Sequence, residues 1–329
     1  RSRSCRTGAA FDIERNSCFV RKTSGNALDV ELTAVIVAVT VEDPRVLTLR
    51  DGNALPSGPF ESGHRTLQQG LRSWVERQTH HPLGYLEQLY TFADRDRIQD
   101  DGKGRAVSIS YLGLTKEMRA RGKDQCEWAS WYQYFPWEDW RFGTPPLVTG
   151  VLAPRLRAWV RAAADPATRR ARARRAELTF GLAGNVWNEE LVLQRYELLY
   201  EARVIPEAGR RKPIDRIVPG QAMVHDHRRI LATGVARLRA KIKYRPVFFE
   251  LMPDSFTLLQ LQRLVEALAG RRLHKQNFRR LVEQQGLVEE TGKLCKETGG
   301  PPAKLVRFRR ELQIERAISG SKLPLSRSP

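Results

Sequence analysis

The chain has few cysteines, and they follow no pattern. Its 329 residues include four, Cys5, Cys18, Cys126 and Cys295, without a C-x-x-C pair among them. This spacing predicts neither a zinc site nor a disulfide framework, so a reducing cytosol is the simplest setting. No stretch approaches about 18 uncharged apolar residues, and no secretory apolar segment is present. We therefore expect a cytoplasmic protein with no membrane partner.

Acidic residues are scarce relative to basic ones. The 37 Asp and Glu stand against 56 Lys and Arg, which gives a net charge of +19. This excess favours nucleic acid as a partner, because each neutralised phosphate releases counterions and adds salt-sensitive affinity. A basic surface that is merely solvated is the alternative that composition alone leaves open.

The segment 58–80 carries a motif frame without most of its acidic residues. Four positions hold the frame, namely Gly58, Arg72, Trp74 and Glu76. Their spacing resembles the Nudix box, which runs glycine, five residues, glutamate, seven residues, then R-E-U-x-E-E-x-G-U with U apolar. Its other positions are occupied here by His64, Ser73 and Arg77 in place of glutamates and by Thr79 in place of glycine.

This substitution pattern predicts a protein without hydrolase activity. Mg²⁺ requires several oxygen ligands, and metal-assisted hydrolysis of a pyrophosphate depends on that ion. Glu76 alone cannot hold it, and Arg77 adds positive charge where the dication would lie. The same helix could accept a phosphate, so we expect a nucleotide site formed by His64, Arg72, Glu76 and Arg77. A soft-metal site of His64, Glu76 and His80 is a minor alternative, and we expect no resident cofactor or metal.

The residues around the box predict a mixed sheet. The uncharged, β-branched run 32–41 is typical of a strand buried on both faces, and 46–49 follows as a short partner. Apolar spacing predicts a helix over 65–78, and strands are predicted over 85–92 and 105–114. The sequences YLEQLYTFADRDR and RAVSISYLGL resemble the Nudix-like domain of NrtR-type bacterial transcriptional regulators.

The C-terminal part predicts two helices and a hairpin. Thr257 and Gln260 form a capping box, and an apolar stripe follows until Gly270. The next helix, 274–285, has Phe278, Leu281 and Val282 on its predicted inner face. A strand pair then encloses a loop over 292–302. From residue 271 to 310 there are 11 Lys or Arg against 4 Glu.

Residues 248–308 resemble the winged helix-turn-helix of the same regulators. The helix over 274–285 is the recognition helix by position, since its outer side chains can meet phosphates and base edges. We predict DNA contacts from Lys275, Gln276, Asn277, Arg279 and Arg280 on this helix and from Lys293, Lys296 and Lys304 in the wing.

The middle of the chain is rich in tryptophan and arginine. Four of the seven tryptophans lie within 13 residues of the segment 126–142, a density typical of packing, with base stacking as the minor alternative. The arginine-rich run 169–175 is either a solvated helix face or a second phosphate contact, and the sequence leaves both open. Helices are predicted over 154–164, 188–203 and 221–244, and such long apolar stripes often form dimer interfaces.

Together these patterns predict an α+β protein with an N-terminal Nudix-like α/β/α domain, a helical middle segment and a C-terminal winged helix-turn-helix. The predicted limits are an arm at 1–30, the Nudix-like domain at 31–118, the insertion at 119–220, the DNA-binding domain at 221–312 and a tail at 313–329.

The length of the insertion and the loss of the box glutamates favour the NadQ group over compact NrtR proteins. The resemblance implies a homodimeric repressor of NAD synthesis or salvage genes in the bacterial cytoplasm, bound to a palindromic operator. It also implies an adenine effector, ATP, NAD or ADP-ribose. The alternatives are a Nudix hydrolase of ADP-ribose or a related dinucleotide with a nucleic-acid-binding appendage, and a module that packs against a protein partner.

Overall fold

A six-stranded mixed sheet forms the N-terminal part of the protein. A computed structural model describes residues 28–81, 83–93, 105–117, 126–209, 217–244, 247–295 and 302–309. The strands are β1 (Leu28–Thr40), β2 (Asp43–Leu49), β3 (Ser57–Pro59), β4 (Tyr85–Phe92), β5 (Arg105–Leu114) and β6 (Cys126–Ser130). Their order is β4-β5-β1-β2-β6, with β3 paired to β1. β1 is parallel to β5 and antiparallel to β2.

The central strand β1 is buried on both faces, as its uncharged run predicts. Residues 32–38 are all buried. Alternate side chains point to opposite faces of the sheet, so Leu32, Ala34 and Ile36 enter one apolar cluster, while Val35 and Val37 enter another. β1 ends in a tight turn where Val41 and Glu42 both have positive φ, 51° and 61°. This is the conformation that two-residue hairpins require.

Helix α1 (Leu67–Thr79) covers the first face of the sheet and carries the box. Its N-cap is Thr66, whose side chain accepts from the amide of Gln69, and it ends at His80 in the left-handed conformation. Leu71 and Val75 pack into the same cluster as Leu32 and Ile36. The box is therefore a strand-loop-helix unit built from β3, the loop 60–66 and α1.

The insertion is mostly helical, but it also supplies the edge strand β6. Its helices are α2 (Trp131–Tyr134), α3 (Ala153–Arg161), α4 (Pro166–Phe180) and α5 (Val192–Glu201), with a π-helical turn, Val148–Leu152, before α3 and a 3-10 turn, Pro206–Gly209, after α5. α5 begins later than predicted because residues 188–191 form a turn, and the carbonyls of Asn188 and Glu189 in it accept from Arg195.

Helix α6 (His227–Tyr244) lies against the second face of the sheet. Gly234 allows a close approach, since a Cβ there would be 2.9 Å from Val35. The helix starts six residues later than predicted. Gln221 and Val224 donate their amides to the carbonyls of Gln133 and Asn53, which holds this stretch outside the helix. Among the described residues, no helix has the length and apolar character needed to cross a membrane.

The C-terminal part contains a 3-10 turn (Val247–Leu251), α7 (Leu258–Ala269), α8 (Lys275–Gln284) and the hairpin of β7 (Val288–Cys295) and β8 (Ala303–Phe308). The capping box of Thr257 and Gln260 is present, and Gly270 ends α7 with φ of 72°. Phe256 exchanges both backbone hydrogen bonds with Val306, which joins the start of α7 to the hairpin. This is the helix, turn, helix and wing that the sequence predicts.

Candidate nucleic-acid interface and ligand site

Helix α8 presents a polar, basic face to solvent. The side chains of Lys275, Gln276, Asn277, Arg279 and Arg280 are all exposed. On the inner side Val282 is buried and Phe278 is half-buried. Leu281 was predicted to face inward but is 51% exposed. It lies at the edge of the stripe, because the helix packs through Phe278 and Val282, which are four residues apart and share a face.

Of the three lysines predicted to contact DNA from the wing, the structure shows one that is exposed and outside any described ion pair. Lys293 is exposed and follows Gly292, whose φ of 75° forms the bend in β7. Lys304 pairs with Glu290 across the hairpin at 2.8 Å, so its charge is partly balanced within the wing. Lys296 lies outside the described residues. Lys293 is thus the predicted wing lysine that the structure shows exposed and clear of any ion pair among the described residues.

A buried carboxylate organises the turn between α7 and α8. Glu266 accepts from the amide of Leu273 at 2.9 Å, from Arg272 at 2.7 Å and from Gln262 at 2.9 Å. Burial raises the pKa of this carboxyl, but these donors together outweigh burial and hold the pKa below its usual range. Arg271 and Arg272 of this turn were not among the predicted DNA contacts, and in the structure they pair with Glu189 and Glu266.

A second network joins the insertion to α7. Glu138 receives two donors from Arg195 and a further one from Arg239 at 2.5 Å, and all three side chains are buried. Arg239 also donates to the carbonyl of Leu268 at 2.9 Å. Burial lowers the pKa of Arg195, while Glu138 acts in the opposite direction. A buried charge persists only when paired, so the three side chains act as one unit.

The tryptophans of the insertion pack, as predicted. Trp131 and Trp137 are fully buried, and Trp140 stacks on Trp187 with ring centroids 5.0 Å apart. Tyr132 donates to the carbonyl of Ala267 at 2.7 Å, and burial raises its pKa to about 12, which keeps the phenol protonated as a donor. The rings and the Tyr132 phenol therefore pack the contact between the insertion and α7.

The four residues predicted to bind a ligand do not converge. Arg72 donates to the carbonyls of Leu83 and Gly84, so its guanidinium holds the loop after α1. The His64 ring accepts from the amide of Glu61 at 3.1 Å. Glu76 and Arg77 are exposed on α1, and the Arg77 guanidinium lies 4.6 Å from the centroid of the Trp74 ring. Trp74 packs over Gly58, where no Cβ would fit.

The donor set of the box does not fit Mg²⁺. Glu76 is the one carboxylate of α1, and an octahedral hard cation requires several oxygen ligands. In the part of the chain that the structure describes, no group of three or more His, Cys, Asp or Glu side chains could hold a metal ion. The soft-metal alternative of His64, Glu76 and His80 is therefore not supported. The positive charge of Arg77 suits an anionic group better.

This geometry defines a class of protein, in which an N-terminal Nudix-like domain is joined through a helical insertion to a winged helix. Residues 248–308 match the family model of the NrtR DNA-binding winged helix domain. The resemblance to NrtR-type, Nudix-related regulators is thereby confirmed. The narrower choice of the NadQ group stays a prediction.

One relative agrees with this assignment. The chain is 41% identical over 86 residues to a protein of Acinetobacter baylyi named ADPR responsive transcriptional repressor NtrR. That match covers 26% of this chain and spans about a third, 34%, of the relative.

Two solved structures share the fold. Shewanella oneidensis NrtR complexed with a 27mer DNA has a TM-score of 0.52 and 19% identity, covering 86% of this chain and 94% of that one. A second crystal structure of Shewanella oneidensis NrtR has a TM-score of 0.50 and 18% identity, covering 85% of this chain and 94% of that one.

Proposed function

We propose that the chain is a sequence-specific DNA-binding repressor of NAD synthesis or salvage genes. The observation that carries the proposal is helix α8, an exposed basic and amide-rich helix in a domain that matches a DNA-binding winged helix. Arg, Asn and Gln on such a helix can read base edges in the major groove. The relative in Acinetobacter baylyi is named a transcriptional repressor, and the similar Shewanella oneidensis structure contains DNA.

The proposed DNA contacts fall into two groups. Gln276, Asn277, Arg279 and Arg280 read bases, whereas Lys275 and Lys293 contact phosphates; Lys296 and Lys304 extend the wing contact. Helix-turn-helix proteins commonly bind two half-sites as two-fold dimers. We therefore propose a homodimer on a palindromic operator in the bacterial cytoplasm, with the DNA-binding domain within 221–312.

The proposed effector is an adenine nucleotide bound at the N-terminal domain, within 31–118. ADP-ribose is the first candidate because the relative is named ADPR responsive, and ATP and NAD follow. Arg77 is the proposed phosphate contact, and the other two candidates lie on the same strand-loop-helix unit, Glu76 beside Arg77 in sequence and His64 in the loop before α1. Arg72 is committed to two backbone carbonyls, so its proposed role is to hold the loop below the ligand. The lack of Mg²⁺ ligands makes a binding role preferable to hydrolysis.

The sheet provides a physical route from this site to the DNA-binding helices. α1 packs on one face of β1, and α6 and α7 pack on the other. Arg263 of α7 donates to both carboxylate oxygens of Glu42 at 2.8 Å, in the turn between β1 and β2. A ligand alters DNA affinity only if it prefers one arrangement of these elements. If a ligand moved α1 against β1, the movement of β1 would reach α7 directly through the contact between Glu42 and Arg263.

The test combines site selection with effector titration. A random duplex library is passed over the full chain to recover a preferred site, and binding to it is measured by fluorescence anisotropy with and without ADP-ribose. The proposal requires a palindromic site and an affinity that ADP-ribose changes. If all duplexes bind equally, the chain binds DNA without sequence specificity and is not the proposed repressor. If ADP-ribose, ATP and NAD all leave the DNA affinity unchanged, the proposed role as a nucleotide sensor is wrong.

A further inference from the structure

We propose that helices α3 and α4 form a second DNA-binding surface, which contacts the phosphate backbone flanking the site read by α8. This inference rests on the DNA-binding function proposed above. Residues 153–180 contain eight arginines against Asp165 and Glu177. The charge density matches that of a phosphate-binding surface, since arginine can contact a phosphate with two donors.

Seven of these eight arginines divide into two sets, and the half-buried Arg155 belongs to neither. Arg172 donates to the carbonyl of Trp159 at 3.0 Å and lies 4.5 Å from its ring centroid, and Arg175 pairs with Glu201 at 2.5 Å. These two hold the helices in place. The exposed set, here called the arginine surface, consists of Arg157, Arg161, Arg169, Arg170 and Arg174.

The arginine surface is unbalanced within the protein. Across the described ranges, none of its five side chains has a carboxylate partner. Arg157 and Arg161 are four residues apart on α3, and so are Arg170 and Arg174 on α4. Like charges at this spacing repel each other on a helix. A polyanion bound to the surface would offset that repulsion.

The insertion lies directly beside the helix-turn-helix. Trp140 donates its amide to the carbonyl of Gly270 at 2.7 Å, and the Arg272 guanidinium lies 5.2 Å from the ring centroid of Phe142. Arg271 contacts Glu189 at 3.5 Å. These contacts join two separate stretches of the insertion to the turn between α7 and α8, so the insertion cannot be remote from DNA bound at α8.

The arginine surface is within reach of the same duplex. Arg174 lies 3.5 Å from the side-chain oxygen of Asn185, which is in the loop before α5 that also contains Glu189. Four residues of chain span at most about 14 Å, so the guanidinium groups of Arg174 and Arg271 lie within about 34 Å, one helical turn of DNA. A duplex bound at α8 that extends past the loop between α7 and α8 would therefore have α4 within about one DNA helical turn.

The test compares two duplexes and two triple variants. The site recovered by selection is used alone and extended at each end by about one helical turn of arbitrary sequence. R169Q/R170Q/R174Q removes three charges from α4. R50Q/R65Q/R203Q is the matched control, because these arginines are also exposed, lie outside α3, α4 and residues 221–312, and give an equal charge loss. Affinity is measured against salt concentration for all four combinations and for the parent.

The parent and the control are expected to bind the extended duplex more tightly than the short one. The α4 variant should lose that gain, with the slope of log affinity against log salt reduced by about 1 to 3 on the extended duplex. Its binding to the short duplex should match the parent, which also shows that the chain is folded. If the α4 variant and the parent bind the extended duplex equally, the inference is wrong. The arginine surface would then be a solvated helix face or a contact for an acidic protein partner. If the parent binds neither duplex, the proposed DNA-binding function itself is wrong.

Discussion

Arg239 on α6 donates from Nε to the main-chain carbonyl of Leu268, 2.9 Å away at the end of α7. The same guanidinium contacts Glu138, which also receives Arg195. Helix α6 lies on the sheet, and α7 is the first helix of the helix-turn-helix, so one buried arginine links the helix on the sheet to the helix-turn-helix. The insertion supplies the carboxylate that makes this link possible.

Replacing Glu138 with Gln is expected to be strongly destabilising. The change removes the carboxylate that two buried guanidinium groups share, and breaking a buried ion pair typically costs about 3 to 5 kcal/mol. Urea unfolding of the full chain measures it. Glu201→Gln is the control, since its pair with Arg175 is exposed and should contribute less than about 1 kcal/mol. Equal midpoints for the two variants would show that the Glu138 cluster does not stabilise the fold.

Local patterns predicted the elements that depend on local physics. The uncharged run of β1, the capping box of Thr257 and the glycine at 270 each identify an element because the determining residues are close in sequence. The composition of α8 likewise identified an exposed face without any partner being known. Boundaries were less accurate where a distant residue decided them, as with Asn53, whose carbonyl accepts from Val224 before α6.

The long-range pairings could not be predicted. Arg195 and Arg239 occupy positions that look like ordinary polar sites on amphipathic helices, and their partner Glu138 is 57 and 101 residues away. Arg72 shows that even a residue that a motif identifies can have a different partner from the one predicted. The motif frame predicted a phosphate contact, but the carbonyls of Leu83 and Gly84 lie beside the guanidinium and use it. Periodicity reports which side chains face inward, not which of them meet.

Two arginines of α8 should determine specific DNA binding. Arg279→Ala or Arg280→Ala is expected to weaken binding to the selected site by about 1 to 3 kcal/mol, because each removes a contact to base edges or adjacent phosphates. Lys293→Ala in the wing should weaken all sequences alike. Anisotropy titrations on the selected and a scrambled duplex separate the two effects. If both arginine variants bind the selected site like the parent, α8 is not the recognition helix.

The protein should not hydrolyse nucleotides. With Mg²⁺ or Mn²⁺ present, we expect no turnover of ADP-ribose, NAD or diadenosine polyphosphates above background, since Glu76 stands alone on α1 and Arg77 repels a dication. Product formation is followed by chromatography over long incubations. Turnover that disappears in Glu76→Gln would contradict this prediction and favour the hydrolase alternative.

Arg77 and Arg72 should differ in what they contribute to effector binding. Arg77→Ala is expected to weaken binding of ADP-ribose, measured by calorimetry, with little change in stability, because its side chain is exposed. Arg72→Ala should lower the unfolding midpoint, since two backbone carbonyls lose their donor. In the parent, the effector should change affinity for the selected site by about 5- to 150-fold. Undiminished binding of ADP-ribose by Arg77→Ala would place the phosphates elsewhere.

Glu266 should make the helix-turn-helix sensitive to acid. Donors from Leu273, Arg272 and Gln262 hold the pKa of this carboxyl below its usual range despite burial. A group whose pKa is lower in the folded than in the unfolded state stabilises the fold above its unfolded pKa, and this contribution is lost as the pH falls through the folded pKa. Stabilisation by Glu266 is therefore complete at neutral pH and declines below about pH 4.

The variant Glu266→Gln tests this assignment directly. Gln cannot accept from Arg272 as a charged partner, so at neutral pH we expect a loss of about 1 to 3 kcal/mol in unfolding free energy. DNA affinity should fall as well, because Glu266 fixes the amide of Leu273 just before α8. The difference from the parent should shrink as the pH is lowered, since the parent carboxyl becomes protonated and then resembles Gln. Urea midpoints of both chains at pH 7 and near pH 3.5, with Glu201→Gln alongside, give the comparison. A difference that stays constant over this range would mean that packing of the side chain, not its charge, holds the turn.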